Sequence, residues 1–336
     1  MLNQNAADFL SEIDTCLRKD FKQEIAKFNG TRAKRSGWME KTLPKFLKSD
    51  LNKENYHIAI QRATIFSKVE DEEYKNDVCD GYRGLLKSGD YKQYIKFYKE
   101  FLEKLDLYQP YPEIAALPKY SFFLQFKFTL KKPFYSHDDE DFYIIDNPVT
   151  KEHIFKIPMM RPSSWKGNLR STMIKVNNIM TENCDNPLIE RLFGCTDEKE
   201  NTQKKGRLIF YPTYFDNIGL EMINPHDRKT KAGTNPILYE VVPKGSRGVF
   251  SLLYIPFDLI GGDDSNKRDD SIAGYQKVSE AIKEMMTTYG FGAKTSSGYG
   301  VIDIIENGAV KINGIDLPKS EFSTFDELNT IVRGLQ

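Results

Sequence analysis

Apolar positions recur at helical spacing over the first hundred residues and at strand spacing after them. Phe9, Leu10, Ile13, Leu17, Phe21, Ile25 and Phe28 fall at steps of one, three and four, which makes one apolar helix face, and Asn29-Gly30 ends it. Tyr91, Tyr94, Ile95, Tyr98, Phe101, Leu102 and Leu105 predict a second such face. Pro110, Pro112 and Pro118 then mark a break. Beyond it the period becomes two. Phe122, Leu124, Phe126, Phe128 and Leu130 alternate with Gln125, Lys127, Thr129 and Lys131 as in a half-buried strand.

A helix follows over 165–179, with Trp165, Leu169, Met173 and Val176 on one stripe. Strands are expected from Gly206 to Tyr214 and from Gly248 to Pro256. Val278, Ala281, Ile282, Met285, Met286 and Tyr289 give a further helix face, and Val301 to Ile305 a last short strand. The order β-α-β-β-α-β is that of an α+β, ferredoxin-like (RRM-type) core. Hairpins are expected as insertions near 142–157 and 215–242, and residues 261–271 read as a polar loop. The chain divides into a helical N-terminal region (1–115), the core with its insertions (116–310) and a C-terminal tail (311–336).

Charge and composition narrow the function. Lys plus Arg equal Asp plus Glu at 48 each, so the net charge is zero, which argues against a strong independent nucleic-acid binder and leaves room for local basic patches. No apolar run reaches membrane-spanning length, and the polar start MLNQNAADFL is unlike a secretory leader, so a cytoplasmic protein is expected. Cys16, Cys79, Cys184 and Cys195 are far apart and read as free thiols. His57, His137, His153 and His226 are equally scattered, so neither a metal site nor a cofactor is expected.

Three stretches carry candidate chemistry. From Arg161 to Lys175 there are four cations (Arg161, Lys166, Arg170, Lys175) and no acid, and Ser163 or Ser164 is placed to cap a helix whose N-terminus suits a phosphate. The bland alternative is a capped surface helix with solvated charges. From Gly290 to Gly300, four glycines surround Lys294, Thr295 and Ser296, with Phe291 and Tyr299 as candidate stacking partners for a base; the alternative is a tight connection between helix and strand. It is not a Walker loop, because the order is helix, loop, strand. Lys204-Lys205-Gly206-Arg207 precedes a strand, and residues 18–48 hold ten Lys or Arg against three acids around Trp38; both also read as solvated faces. The acidic run His137-Asp138-Asp139-Glu140-Asp141 and His226 are weaker candidates for a metal ion and a general base.

Taken together the stretches resemble the RAMP superfamily of CRISPR-associated proteins, whose members carry a strand leading into an IPGSSLKGxLR-like loop and helix. The matching residues are Ile157-Pro158-Met159-Met160-Arg161-Pro162-Ser163-Ser164-Trp165-Lys166-Gly167-Asn168-Leu169-Arg170, followed by Leu192-Phe193-Gly194, Gly206-Arg207-Leu208-Ile209-Phe210 and Gly292 to Gly300. The likeness spans roughly 119–306. Met159-Met160-Arg161-Pro162 stands where a Pro-Gly turn is common, and Trp165 where a smaller apolar residue is usual. Within the superfamily, the glycine-rich loop and Asn224-Pro225-His226 look most like the sixth subunit of type III-B (Cmr) complexes. The resemblance implies a non-catalytic, guide-RNA-binding subunit of a type III effector complex. Its partners would be guide RNA, target RNA and sibling subunits. Arg161, Ser163, Ser164, Lys166, Arg170, Lys294, Thr295 and Ser296 would lie on the RNA backbone, with the hairpin around 220–237 as a wedge beside the duplex. It also leaves a second reading open: Asp146-Asn147-Pro148-Val149 resembles the D-x-P-V loop of backbone subunits that cut target RNA with the aspartate.

Overall fold

The alternation over 122–130 becomes the central strand of a mixed α and β fold. The computed structural model describes residues 72–87, 89–138, 143–179, 186–197, 202–224, 236–261 and 264–335, with isolated positions 23, 37, 38 and 41. The helix expected at 9–28, most of the basic run at 18–48, and Asn224-Pro225-His226 beyond Asn224 lie outside the described residues.

Two helices come first, α1 (Glu72–Lys87) and α2 (Asp90–Lys104). The principal sheet is antiparallel and five-stranded. It contains β1 (Phe122–Leu130), β5 (Leu208–Phe210), β9 (Arg247–Tyr254), β10 (Ile302–Ile312) and β11 (Glu321–Phe322), in the order β11-β10-β1-β9-β5. Three helices cover one face: α3 (Pro162–Val176), α5 (Asp264–Glu284) and α6 (Phe325–Arg333). Smaller pieces are β2 (Met159–Met160) paired with β6 (Thr213–Tyr214), helix α4 (Pro187–Phe193), and the hairpins β3 (Gly194–Asp197)–β4 (Thr202–Lys205) and β7 (Gly219–Ile223)–β8 (Ile237–Val241).

The even positions of β1 build the core beneath those helices. Phe122 meets Tyr275 of α5 edge-on at 4.3 Å, Phe126 meets Phe325 of α6 at 5.6 Å, and Phe128 meets Trp165 of α3 at 6.4 Å between ring centroids. Each such buried aromatic contributes about 1.5–3 kcal/mol by leaving water. Trp165, the bulky residue of its motif, is fully buried, and its indole N–H donates to Thr213 Oγ1 at 3.0 Å, so its one polar atom is satisfied. The odd positions face the other way. Phe123 packs with Ile114, Leu253 and Ile255, and Gln125 donates to Pro110 O and Ser251 Oγ.

Several sequence expectations change. The last strand is eleven residues long instead of five, because Asn307-Gly308 is a bulge within β10 and not a turn: two steps along β1, from Gln125 to Lys127, match three along β10, from Ala309 to Glu306. Residues 264–271 of the expected polar loop are the first turns of α5, held by Arg268 donating to Leu335 O at 2.8 Å. The expected strand at 206–214 splits between two sheets, β5 and β6. No regular hairpin forms at 143–157; that segment is tied by the single bridges His137–Val149 and Lys151–Pro158. Of the described cysteines, Cys79 is a thiol as expected, whereas Cys195 is disulfide-bonded, because separation in sequence sets no lower limit on separation in space.

Candidate nucleic-acid interface

Helix α3 begins differently from its sequence expectation. Arg161 is the N-cap in extended conformation, Pro162 occupies the first turn, and Ser163 and Ser164 lie inside that turn without acting as the cap. The first turn contains no acid. Trp165, Leu169, Thr172 and Met173 face the core, so Ser163, Gly167 and Ser171 form an exposed crest one turn apart. Two flanks run beside this crest. Lys166 and Arg170 lie on one, Ser164 and Asn168 on the other.

The Lys166–Arg170 flank opens on a groove of about 760 Å³ whose opposite wall is the β3–β4 hairpin with Lys204 and Lys205. Lys204 is also paired with Glu190 at 2.5 Å. The hairpin sits this close because two glycines meet. Gly194, at φ +82, packs against the backbone of Gly206, where a Cβ on either would collide with the other's chain. Leu192-Phe193-Gly194 and Lys204-Lys205-Gly206-Arg207, separate motifs in sequence, are therefore one structural unit.

The Asn168 flank meets the glycine-rich loop, with Gly292 N–H donating to Asn168 Oδ1. A π-helical turn, Met285–Tyr289, leads into it. The loop closes on itself and on β1's exit through Phe291 N–H to Gly300 O, Gly300 N–H to Pro133 O and Ala293 N–H to Tyr135 O, at 2.7–3.0 Å. Lys294 is left-handed (φ 59) and opens the short turn Thr295–Ser297, with Ser296 exposed. Its ammonium lies 4.4 Å from the ring centroid of Tyr239 on β8, which couples the loop to the second hairpin.

The expected stacking role of Phe291 does not hold. Phe291 is fully buried against Trp165, Phe134 and Phe128, so it is part of the core and not a stacking platform. Tyr299 is half-buried; burial, then the carboxylate of Glu221 on β7, raises its pKa. Arg161 is engaged inward, its guanidinium donating to Asp138 Oδ1 at 2.9 Å. Asp138, from the acidic run read as a weak metal-ion candidate, is buried. Asp146 is exposed and lies in a bend. His137 Nδ1 is 3.0 Å from the hydroxyl of Tyr135, whose pKa is pushed up to about 12 by burial first and then by Tyr239 and Glu240.

The structure thus brings together Ser163, Ser164, Lys166 and Arg170 on one helix, with Lys294, Thr295 and Ser296 beside its far flank. Asn168, Tyr239 and the hairpin lysines complete the surface. Sequence reading gave Asn168 and Tyr239 no role, since neither carries a charge or a spacing signal.

Comparison with known proteins gives the chain's relatives. The family profile described as the RAMP superfamily matches residues 127–303. Two curated proteins, both named CRISPR system Cms endoribonuclease Csm3, are similar to the chain. The protein of Streptococcus thermophilus is 28% identical over 201 residues, covering 55% of this chain and 84% of the relative. The protein of Mycobacterium tuberculosis (strain ATCC 25618 / H37Rv) is 26% identical over 180 residues, covering 47% and 74%. A chain in the cryo-EM structure of the type III-B Cmr-beta complex bound to cognate target RNA aligns with a TM-score of 0.47 and 13% identity, over 83% of this chain and 99% of that one.

Proposed function

The chain belongs to the RAMP superfamily, and from that premise we propose that it is a guide-RNA-binding subunit of a type III CRISPR ribonucleoprotein effector complex. The carrying observation is the groove in which Lys166 and Arg170 of α3 face Lys204 and Lys205. Four cations in one open channel suit the repeating charge of a nucleic-acid backbone, and contacts of that kind fix position without reading bases. Ser163, Ser164, Arg161, Lys294, Thr295 and Ser296 extend the surface along both sides of the helix. Sequence reading then falls to base pairing between guide and target RNA. Sibling subunits of the complex are the proposed protein partners, and residues 116–310 the RNA-binding unit. We also read the core as ferredoxin-like: β1, β5, β9 and β10 stand in the sheet as first, second, third and fourth strands in the order fourth, first, third, second.

A second reading has its own support. Both curated relatives are named endoribonucleases, and Asp146 is an exposed carboxylate in a bend that precedes β2 and α3 in the chain. A carboxylate held near a kinked phosphodiester can accept the proton of the attacking 2′-hydroxyl. The decisive experiment is affinity purification of the tagged chain with its complex, sequencing of bound RNA, and a target-cleavage assay on Asp146→Ala. Short guide RNAs in the purified material support the first reading. Loss of cleavage with guide RNA retained supports the second. An RNA-free chain overturns both.

A further inference from the structure

The segment that carries Asp146 is held by buried charges rather than by regular strands. Glu240 of β8 has a side chain only 2% exposed, as has that of Lys151, and the two form an ion pair. Glu240 Oε1 accepts from the hydroxyl of Tyr82 on α1 at 2.5 Å, and Oε2 accepts from Val149 N–H at 3.2 Å. The backbone N–H of Glu240 donates to Asn147 O at 3.0 Å. One residue therefore grips the chain immediately after Asp146 through both its side chain and its backbone. Lys151 adds a bond to Val149 O and places its ammonium 4.1 Å from the ring centroid of Tyr143. Tyr143 in turn donates to Asp138 Oδ2 at 3.0 Å, and Asp138 Oδ1 receives Arg161 at the head of α3. A continuous polar chain runs from α1, through the Asp146 segment, to the start of the RNA-facing helix.

Such an arrangement is an expensive way to gain stability. Removing two charges from water costs as much as their attraction returns, and apolar residues of similar volume serve equally well or better. What a charged pair supplies that an apolar pair does not is direction. Hydrogen bonds and ion pairs favour particular directions, and here the pair holds the backbone of Val149 from both sides, its N–H on Glu240 and its carbonyl on Lys151.

We propose that Glu240 and Lys151 are positioning residues for Asp146, and that Tyr82 makes helix α1 part of the same device. In its catalytic consequence the inference rests on the endoribonuclease reading; in its structural consequence it does not. The N-terminal helical region thereby gains a role that its sequence does not suggest, which is to order a loop it does not contain.

The test uses the full chain, alone for amide hydrogen exchange and in the reconstituted complex for cleavage. Tyr82→Phe deletes one hydroxyl and leaves the packing. The double variant Lys151→Met with Glu240→Gln removes both charges at nearly constant volume, which keeps the fold testable. For Tyr82→Phe the amide of Val149 is expected to exchange about tenfold faster, the size of one lost buried hydrogen bond, while amides of β1 keep their protection. The double variant is expected to show a larger effect at the same amide, with target cleavage reduced at least about tenfold and guide-RNA affinity unchanged. Wild-type exchange at Val149 in a folded double variant overturns the proposal. If the wild-type complex does not cleave, or Asp146→Ala cleaves normally, the endoribonuclease reading fails, and the exchange result alone decides whether the network orders the loop.

Discussion

The backbone N–H of Gly292 donates to Oδ1 of Asn168 at 3.3 Å, tying the glycine-rich loop to the middle of α3 across 124 residues of sequence. The Asn168 amide is oriented by its other end, where Nδ2 donates to Ser164 O at 2.7 Å. The bond sets the distance between the cations on the helix and Lys294 on the loop. Asn168→Ala is therefore expected to cost about 1 kcal/mol of stability and to weaken RNA binding by more than that loss explains. Asn168→Asp keeps the acceptor, loses the Nδ2 donor to Ser164 O and adds a negative charge facing the proposed phosphates, so it should lose at least as much stability as Asn168→Ala and bind RNA more weakly still. Thermal unfolding and RNA titration on both variants separate the two effects.

Salt dependence distinguishes the cations from one another. Lys166 and Arg170 line the groove, so removing either should lower the slope of log affinity against log salt by about 0.7 on single-stranded RNA, one phosphate contact each. Arg161 behaves differently, because its guanidinium is bonded to buried Asp138. Arg161→Ala leaves that carboxylate short of a partner and is expected to lower stability by about 1–3 kcal/mol. Titrations at several salt concentrations, paired with denaturant unfolding, test the contrast.

How far the sequence led follows from which signals are local. The period-two run of 122–130 and the period-3.6 stripe of α3 report on their own neighbours, and both became the expected elements. The full length of β10 was not legible beyond Ile305, because the Asn307-Gly308 dipeptide fits a strand end as well as a bulge, and only the opposing strand decides between them. The polar start of α5 carries almost no apolar signal; its helix is secured by distant residues such as Leu335. At the site, clustered cations marked α3. The pairing of Gly194 with Gly206 and the inward turn of Phe291 depend on tertiary contacts that no window of sequence contains. The same holds for Glu240, an ordinary strand acid until Tyr82, Val149 and Lys151 converge on it.

Lys99 gives a pH-dependent prediction on the opposite face of the sheet. Its amine lies 4.8 Å from the ring centroid of Tyr108 in the space between α2 and β1. Burial, only partly offset by Asp216 and Glu103, holds its pKa below the ordinary 10.5. The unfolded chain then binds that proton more readily than the folded one, so stability rises with pH from the lowered pKa up to 10.5 and is level above it. Lys99→Met is expected to stabilise the protein at neutral pH and to remove this rise. Unfolding curves for the two proteins between pH 7 and pH 11 should converge at the alkaline end.

Gly167 separates what folding needs from what binding needs. It lies inside α3 on the exposed crest, and apart from its chain neighbours and its own helix backbone no atom of the described residues comes within 4 Å of where its Cβ would be. Glycine in a helix interior costs about 0.8–1.0 kcal/mol relative to alanine. Among the described residues no contact of Gly167 offsets that cost, and the proposed function supplies a reason to keep the crest low. The crest lies between the Lys166–Arg170 groove and the Asn168–Gly292 contact, where a bound RNA backbone would pass. Gly167→Ala is therefore expected to raise the unfolding free energy by about 0.5–1 kcal/mol while weakening guide-RNA affinity, and a larger side chain there should weaken it further. A variant that is more stable and binds RNA as tightly as the parent would move the RNA path off this helix.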